Sequence, residues 1–416
     1  MSLWGVLSNS AQAMMAQTTG LGTISENIAN ISTNGFKKVD AGFKTLLSES
    51  TVQHDFFTAK PALTRRVDVQ GQVLSTGNSY DLAINGRGLF ILNTELDGTG
   101  QSRYTRDGGF HTLANDVTGD GTKDSQLVTK EGYAVMGIAA NTDGTFTAPT
   151  TETGLVPVVV RDESVNSGVA TSELTIRANV DAATTDTQPF SLPVYNSSFV
   201  TKNLSMQWEP STTTPNEWTL TFDMAAADGT VTSPAASATT VTFNSDGELP
   251  SGTTYTVPVA ITWADASTST VTIDYSEMQQ LAKPSNLQSL SQNGHAAGQL
   301  QSTYFDEKGI LYYSYSNGVI TPKYQIPVAT FPAPNHLTHM NGNTYAESPE
   351  SGSSTVATGA AVGGLTRFEP NSVEISNVDI GDEFTRMMIT QKAYSMAATV
   401  FKTGDEMVQV GRDLIR

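Results

Sequence analysis

The sequence has no cysteine, few basic residues and no long apolar run, and each absence excludes a class of function. Without cysteine there is no disulfide, thiolate metal site or cysteine nucleophile. Lys and Arg number 23 against 41 Asp and Glu, a net charge of −18, and the only basic pairs are Lys37-Lys38 and Arg65-Arg66. This argues against nucleic acid or anionic lipid as a partner. No run approaches the roughly 18 apolar residues of a membrane span, so no membrane insertion is expected.

The amino terminus does not have the pattern of a cleaved secretory signal. Residues 1–5 carry no Lys or Arg, and the apolar residues that follow are spaced as a stripe rather than as a block. Only 15% of the residues are charged, so the chain is polar mainly through Ser, Thr, Asn, Gln and Gly. The composition therefore predicts an extracellular surface without an ordinary export signal.

Proline is absent before Pro61 and after Pro370, and both stretches carry apolar residues every seven positions. The first repeat consists of Leu7, Met14, Leu21 and Ile28. The last consists of Ile380, Met387, Tyr394, Phe401, Val408 and Ile415, with Phe384 beside it. These repeats predict two coiled-coil helices, each with an apolar seam that needs a partner helix. The same spacing also fits two helices that simply close a globular core.

Ser376 and Asp379 predict a capping-box start for the last helix, which would be about 55 Å long at 1.5 Å per residue. The chain between the two helices is predicted to be β. Asn85-Gly86-Arg87-Gly88 predicts a hairpin turn between Leu82–Ile84 and Leu89–Ile91. From about 160 to 283, apolar residues alternate strictly with Thr and Ser, as in half-buried antiparallel strands of a sandwich or barrel.

The predicted fold class is mostly β with α-helical termini, in three nested parts. Residues 1–35 with 371–416 are predicted to form a terminal helical coiled-coil domain. Residues 36–159 with 284–370 form a discontinuous β domain, and residues 160–283 form an inserted outer β-sandwich or barrel.

No pattern in the sequence predicts catalysis, a cofactor or a metal. Asp116, Thr118 and Asp120 resemble the start of a calcium loop, but Leu127 stands where that loop needs a bidentate carboxylate. His336 and His339 lack a carboxylate-rich partner segment, so they are interpreted as surface histidines. We therefore predict that the protein is not an enzyme.

Several motifs resemble bacterial flagellar rod and hook proteins. Asn27-Ile28-Ala29-Asn30 followed by Thr33-Asn34-Gly35-Phe36-Lys37 is similar to their amino-terminal signature, and Asp81 to Phe90 resembles their next block. Ser291-Gln292-Asn293-Gly294 and Tyr315-Ser316-Asn317-Gly318 resemble the hook subunits in particular. The terminal helix is similar through Asn377-Val378-Asp379, Glu383-Phe384, Gln391-Lys392-Ala393-Tyr394 and Asp405-Glu406-Met407. The motif residues of interest are Asn27, Asn30, Gly35 and Phe36.

The resemblance implies a subunit that is exported unfolded through the flagellar type III apparatus and polymerises outside the cell into a curved tube, a universal joint between motor and filament. It implies as partners other copies of the chain, the rod, the hook cap and the hook-filament junction proteins. It also implies that the seams of the terminal helices pair within each subunit and pack against neighbouring subunits in self-assembly, and that these helices are largely disordered before assembly.

Two alternatives stay open. A distal rod protein would share the termini, but such proteins are usually shorter and lack a large inserted domain. A secreted adhesin or carbohydrate-binding protein would explain the Thr/Ser-rich middle but not the two terminal repeats.

Overall fold

The computed structural model describes residues 3–50, 55–115, 124–147, 149–161, 165–233, 239–358 and 366–414. The chain divides into two compact units. Unit 1 comprises Met1–Asp162, Ser302–Tyr313 and Ile320–Arg416, and unit 2 comprises Glu163–Gln301 and Ser314–Val319. Unit 2 is thus an insertion in the chain of unit 1. The three-part division made from the sequence stays a prediction, and the calcium-like loop at 116–121 lies outside the described residues.

The chain is mostly β with one long helix at each end, as predicted. The first half contains α1 (Leu3–Ala29), β1 (Val39–Ser50), β2 (Asp55–Arg65), β3 (Val73–Ser75), β4 (Leu82–Asn85), β5 (Leu89–Asn93), β6 (Ser102–Thr105), β7 (His111–Asn115), β8 (Asp124–Val128), β9 (Ala134–Ala139), β10 (Val156–Pro157), β11 (Val159–Arg161), β12 (Val165–Asn166), β13 (Glu173–Asp181), β14 (Gln188–Tyr195) and β15 (Thr201–Pro210).

The second half continues with further strands and ends in the second helix. It contains β16 (Glu217–Met224), β17 (Gly229–Ser233), β18 (Thr239–Thr242), β19 (Thr256–Trp263), β20 (Thr268–Asp274), β21 (Gln279–Leu281), β22 (Asn286–Gln292), β23 (Gly298–Phe305), β24 (Ile310–Tyr315), β25 (Ile320–Gln325), β26 (Val328–Thr330), β27 (Thr338–Met340), β28 (Thr344–Ala346), β29 (Thr355–Ala357), β30 (Arg367–Pro370), β31 (Ser372–Glu374) and α2 (Ile380–Leu414).

The helix α2 begins later than the sequence suggested. Asp379 is the N-cap, since its Oδ1 accepts hydrogen bonds from the backbone N–H groups of Gly381 (2.8 Å) and Asp382 (3.1 Å). Ser376 instead accepts a bond from the N–H of Val378 at 3.3 Å, in the loop before the helix. The capping box at Ser376 was therefore wrong, because Asp379 itself satisfies the first free N–H groups. Neither long helix in the described chain is apolar enough to cross a membrane.

In unit 1 the central strands run in the order β9-β5-β6-β28-β27, with further strands on β5, β8 and β9. Their core includes the fully buried Leu82, Phe90 and Tyr104. The predicted hairpin at Asn85-Gly86-Arg87-Gly88 is wrong, because β4 pairs with β30 while β5 pairs with β6, β9 and β26. β1 and β2 form a long antiparallel hairpin that packs on α1.

In unit 2 the alternating residues face inward, as predicted. One sheet runs β17-β19-β20-β13-β21 with β22 also on β13, and the other runs β14-β15-β16-β18. Side chains from both sheets share one core around Trp208, Trp218 and Ile273. The expectation of antiparallel strands fails at β13, which is parallel to β20 and β21 and antiparallel to β22. A long connection through the second sheet makes this parallel return possible.

Candidate assembly interface

The two terminal helices of unit 1 pack side by side in opposite directions. Asn27 near the end of α1 hydrogen-bonds Glu383 at the start of α2, with 3.2 Å between Nδ2 and Oε2. Farther along, a Cβ added to Gly20 would lie 3.8 Å from Thr390 Cγ2, and one added to Gly404 would lie 3.1 Å from Leu7 Cδ2. As the position on α1 decreases, its neighbour on α2 increases, so the pair is antiparallel.

The contact between the helices is made largely by small residues. The buried side of α1 includes Ala16, Gly20, Thr23, Ile24 and Asn27. On α2 the residues that approach α1 are Glu383, Thr390 and Gly404, and the same seven-residue step adds Ala397. We call Glu383, Thr390, Ala397 and Gly404 the inner face of α2. Small side chains on both helices allow the backbones to approach closely.

The seam residues predicted from the sequence flank this contact rather than form its centre. Leu7, Met14 and Ile28 are half-buried on α1, and Leu21 is exposed. On α2, Met387 is half-buried, while exposed positions are occupied by Ile380, Phe384, Tyr394, Phe401 and Val408. Leu21 and Tyr394 line one groove of about 280 Å³ between the helices. Ile415 lies outside the described residues. Their role in assembly stays a prediction.

A second apolar stripe of α2 did not emerge from the sequence. Ile389, Met396, Val400 and Met407 are between 49% and 63% exposed, and we call them the outer face of α2. They follow spacings of seven, four and seven residues, which places them along one side of the helix. Large apolar side chains grouped on a surface are typical of interaction sites.

Unit 1 contains a buried ionic cluster that the sequence did not predict. The carboxylate of Glu374, at the end of β31, binds Lys37 Nζ at 2.6 Å and Arg106 Nε at 2.7 Å. Lys37 also donates to the carbonyl oxygen of Val69 at 2.6 Å, and the N–H of Gly71 donates to Glu374 at 2.8 Å. The three charged side chains are almost fully buried. With two cations and one anion, the cluster carries an excess positive charge.

A second buried cluster joins the helices to the first β strand. Glu383 forms an ion pair with Lys38, with 2.7 Å between Oε1 and Nζ, and accepts the bond from Asn27 described above. The Asn27 amide also exchanges two hydrogen bonds of 2.9 Å with the backbone of Val39. Glu383 and Asn27 are buried. We call Asn27, Lys38 and Glu383 the Glu383 cluster.

The remaining motif residues shape the turn between α1 and β1. Gly35 has φ +67, and an added Cβ would lie 2.4 Å from the backbone nitrogen of Asp107, so only glycine fits. Its N–H donates to the carbonyl oxygen of Glu374 at 2.7 Å. Phe36 is buried beneath the guanidinium of Arg65 at 5.5 Å. Asn30 donates to the carbonyl oxygen of Glu26 at 2.9 Å, which closes the end of α1.

Burial lowers the pKa of Lys37 to about 8, and the neighbouring Arg106 acts in the same direction while Glu374 opposes it. Between pH 8 and the usual lysine value of 10.5, the unfolded chain binds more protons at this position than the folded chain. The unfolding free energy of unit 1 should therefore rise with pH across this window, by at most about 3 kcal/mol.

Scanning calorimetry from pH 7 to 10 measures this effect on the unit 1 transition. Tryptophan fluorescence identifies the transition of unit 2, whose core holds Trp208, Trp218 and Trp263. Lys37→Met should lack the rise. An equal rise in wild type and variant would assign it to another group.

Sequence reasoning missed both clusters because it judged Lys37-Lys38 only as a possible surface patch. The available signal was their position between Phe36 and Val39, in an otherwise buried stretch. Among the described residues no group of three or more His, Cys, Asp or Glu side chains could hold a metal ion. The candidate site thus consists of the helix surfaces and of the Glu383 cluster, which contacts both helices.

Three family models match this chain, and two of them match its first and last parts. The model described as flagella basal body rod protein matches residues 7–37, and flagellar basal body protein FlaE D2 domain matches residues 164–295. The model described as flagellar basal body rod FlgEFG protein C-terminal matches residues 369–414. The first and last matches thus cover most of α1 and all of α2.

Relatives of known identity align along nearly the whole chain. The flagellar hook protein FlgE of Rhizobium meliloti (strain 1021) is 31% identical over 424 residues, covering 99% of this chain and 98% of its own. That of Salmonella typhimurium is 27% identical over 417 residues, covering 96% of this chain and 98% of its own. The crystal structure of Helicobacter pylori flagellar hook protein FlgE2 superposes with a TM-score of 0.51 at 14% identity, over 72% of this chain and 100% of that one. This last likeness supports the fold alone.

Proposed function

Because the chain belongs to the bacterial flagellar hook protein family, it is a structural subunit of the flagellum, and we propose that its copies polymerise through α1 and α2 into the curved tube of the hook. The observation that carries the proposal is the apolar surface of α2. Eleven large apolar side chains between Ile380 and Val410 are exposed in the single chain: Ile380, Phe384, Met388, Ile389, Tyr394, Met396, Val400, Phe401, Met407, Val408 and Val410.

A helix with this much exposed apolar surface gains stability only when something covers it. Fully burying one such side chain contributes about 1.5–3 kcal/mol, so covering most of them offsets the roughly 4–15 kcal/mol that association costs in lost motion. The α1 helix covers the inner face, and these eleven side chains stay exposed beside and beyond it. Every other copy of the same chain carries the same apolar surface. Identical contacts that repeat from copy to copy without closing into a ring generate a helical polymer.

The proposed bending of the tube uses a different kind of surface. In unit 2 the outward positions of β20 are threonines, including Thr270 and Thr272, which alternate with the buried Val271 and Ile273. Hydrogen bonds that exchange with water contribute only about 1 kcal/mol net each, so contacts between such polar faces break and reform at little cost. We propose a division of labour in which the apolar helices hold the tube together while the polar faces of unit 2 slide.

The proposal includes finer points about partners and place. The subunit is exported unfolded by the flagellar type III apparatus, and its helices order on assembly outside the cell. The polymer joins the rod at one end and the hook-filament junction proteins at the other, and grows beneath a hook cap. It acts as a universal joint and performs no catalysis. The absence of cysteine suits passage through a narrow channel.

Negative-stain electron microscopy of the purified chain under salting-out conditions tests the proposal. The full chain should form curved tubes, and circular dichroism at 222 nm should show more helix in them than in the dilute chain. A version lacking about 30 residues at each end should form none, because it lacks most of the helix pair. Straight rods would favour the distal rod alternative. Dispersed full-length chains, with or without preformed hook fragments as seeds, would contradict assembly through the helices.

A further inference from the structure

The more apolar side of α2 is not the side that packs against α1. The inner face consists of Glu383, Thr390, Ala397 and Gly404, whereas the outer face carries Ile389, Met396, Val400 and Met407 and stays exposed. The hydrophobic effect alone would turn the outer face toward α1, because burying large apolar side chains stabilises more than burying alanine and glycine. Some other interaction must therefore decide how α2 is rotated about its own axis.

The inner face carries one interaction that depends on this rotation, and it involves Glu383. This buried carboxylate reaches Lys38 Nζ at 2.7 Å and Asn27 Nδ2 at 3.2 Å. Turning the outer face toward α1 would carry Glu383 away from both partners. Lys38, which is largely buried, would then lose its counter-charge, and separating a buried ion pair is strongly unfavourable.

We propose that Glu383 selects which face of α2 packs against α1. It acts as a positioning residue: its pairing with Lys38 and Asn27 holds the small inner face inward and keeps the large outer face free. The inference deepens the proposed function, since the outer face is part of the surface proposed there to contact other copies. Buried polar groups are known to fix register and orientation in paired helices in this way.

Two adjacent residues of α2 allow a direct test. Thr390 lies on the inner face, 3.8 Å from where a Cβ on Gly20 would be, and Ile389 lies at the same height on the outer face. The chain has no cysteine of its own, so an introduced pair is the only one that can form a disulfide. Gly20→Cys with Thr390→Cys reports the inner face, and Gly20→Cys with Ile389→Cys reports the outer face.

The experiment oxidises both double variants in material sedimented under salting-out conditions and measures the intramolecular disulfide by mass spectrometry of the linked peptides. With Glu383 present, the Thr390 pair should form at least about tenfold more disulfide than the Ile389 pair. Adding Glu383→Leu should bring the ratio close to one. Glu383→Gln, which keeps the shape and the hydrogen bond from Asn27, should retain an intermediate preference.

The outcomes separate this inference from the proposed function. Equal disulfide in the two pairs with Glu383 present, or an unchanged preference in Glu383→Leu, would overturn the selection by Glu383. A loss of helix without a change in the ratio would assign Glu383 a purely structural role and would also overturn it. Sediments that lack tubes but keep the Glu383-dependent preference would contradict the polymer and leave the selection standing.

Discussion

Glu374→Gln should destabilise unit 1 by about 3–5 kcal/mol, whereas Lys37→Met should change its stability little. The substitution to glutamine keeps the shape of the side chain and can still accept the bond from Gly71, but it leaves Lys37 and Arg106 buried without a counter-charge. Removing one partner of a buried ion pair typically costs this much. Lys37→Met instead leaves a balanced pair of Arg106 and Glu374 and removes the excess positive charge.

Hydrogen exchange with mass spectrometry measures the difference in stability between the two variants within unit 1. In Glu374→Gln, amides of the unit 1 core, such as Leu82 and Phe90 in β4 and β5, should exchange about 100-fold faster or more. Amides in β13 to β16 of unit 2 provide the internal control and should keep their wild-type rates. If Lys37→Met were as damaging as Glu374→Gln, the cluster would be stabilised by packing and hydrogen bonding around the lysine and not by its charge balance.

Several β strands of unit 2 could be predicted because they carry their own signal. Leu174, Ile176, Ala178 and Val180 alternate with polar residues, and all four are buried in the core. The pairing of the strands could not be predicted in the same way. Asn85-Gly86 between two apolar stretches is a strong local turn signal, yet Arg367 pairs with Asn85 from the far end of the chain. Local sequence cannot reveal a partner that only the complete sheet provides.

The helices illustrate the same limit at the candidate interface. The heptad pattern correctly places a helix at each end, because large apolar residues every seven positions are a reliable sign. It could not identify the packed face, since Gly20, Thr390 and Gly404 are invisible to a search for large apolar residues. The ionic clusters were hidden for a related reason: Lys37 and Glu374 are far apart in sequence and meet only in the fold. The family resemblance identified Asn27, Gly35 and Phe36 as motif residues but did not indicate which groups they contact.

Tyr394→Asp combined with Phe401→Asp should abolish polymerisation and leave both β units folded. These side chains are exposed beside the helix contact, at 45% and 38%, so the single chain tolerates a charge there. Polymerisation would bury each aspartate, which removes the apolar gain and adds the cost of desolvating a carboxylate. The concentration of free chain in equilibrium with polymer should rise at least about 100-fold. Sedimentation measures it, and Ser395→Asp with Thr399→Asp adds the same charge at exposed polar positions as the matched control.

Charges on the outer face of α2 should abolish polymerisation as well. Ile389→Asp with Met396→Asp places two charges on the exposed outer face of α2, which does not pack against α1, so polymer should be lost. Tyr394→Asp with Phe401→Asp instead places its charges beside the helix contact, where Leu21 and Tyr394 line the groove between the helices. Normal tubes from both variants would refute the assembly role of α2. Tubes from the outer-face variant alone would restrict the intersubunit contact to the edge of the helix pair, around Tyr394 and Phe401.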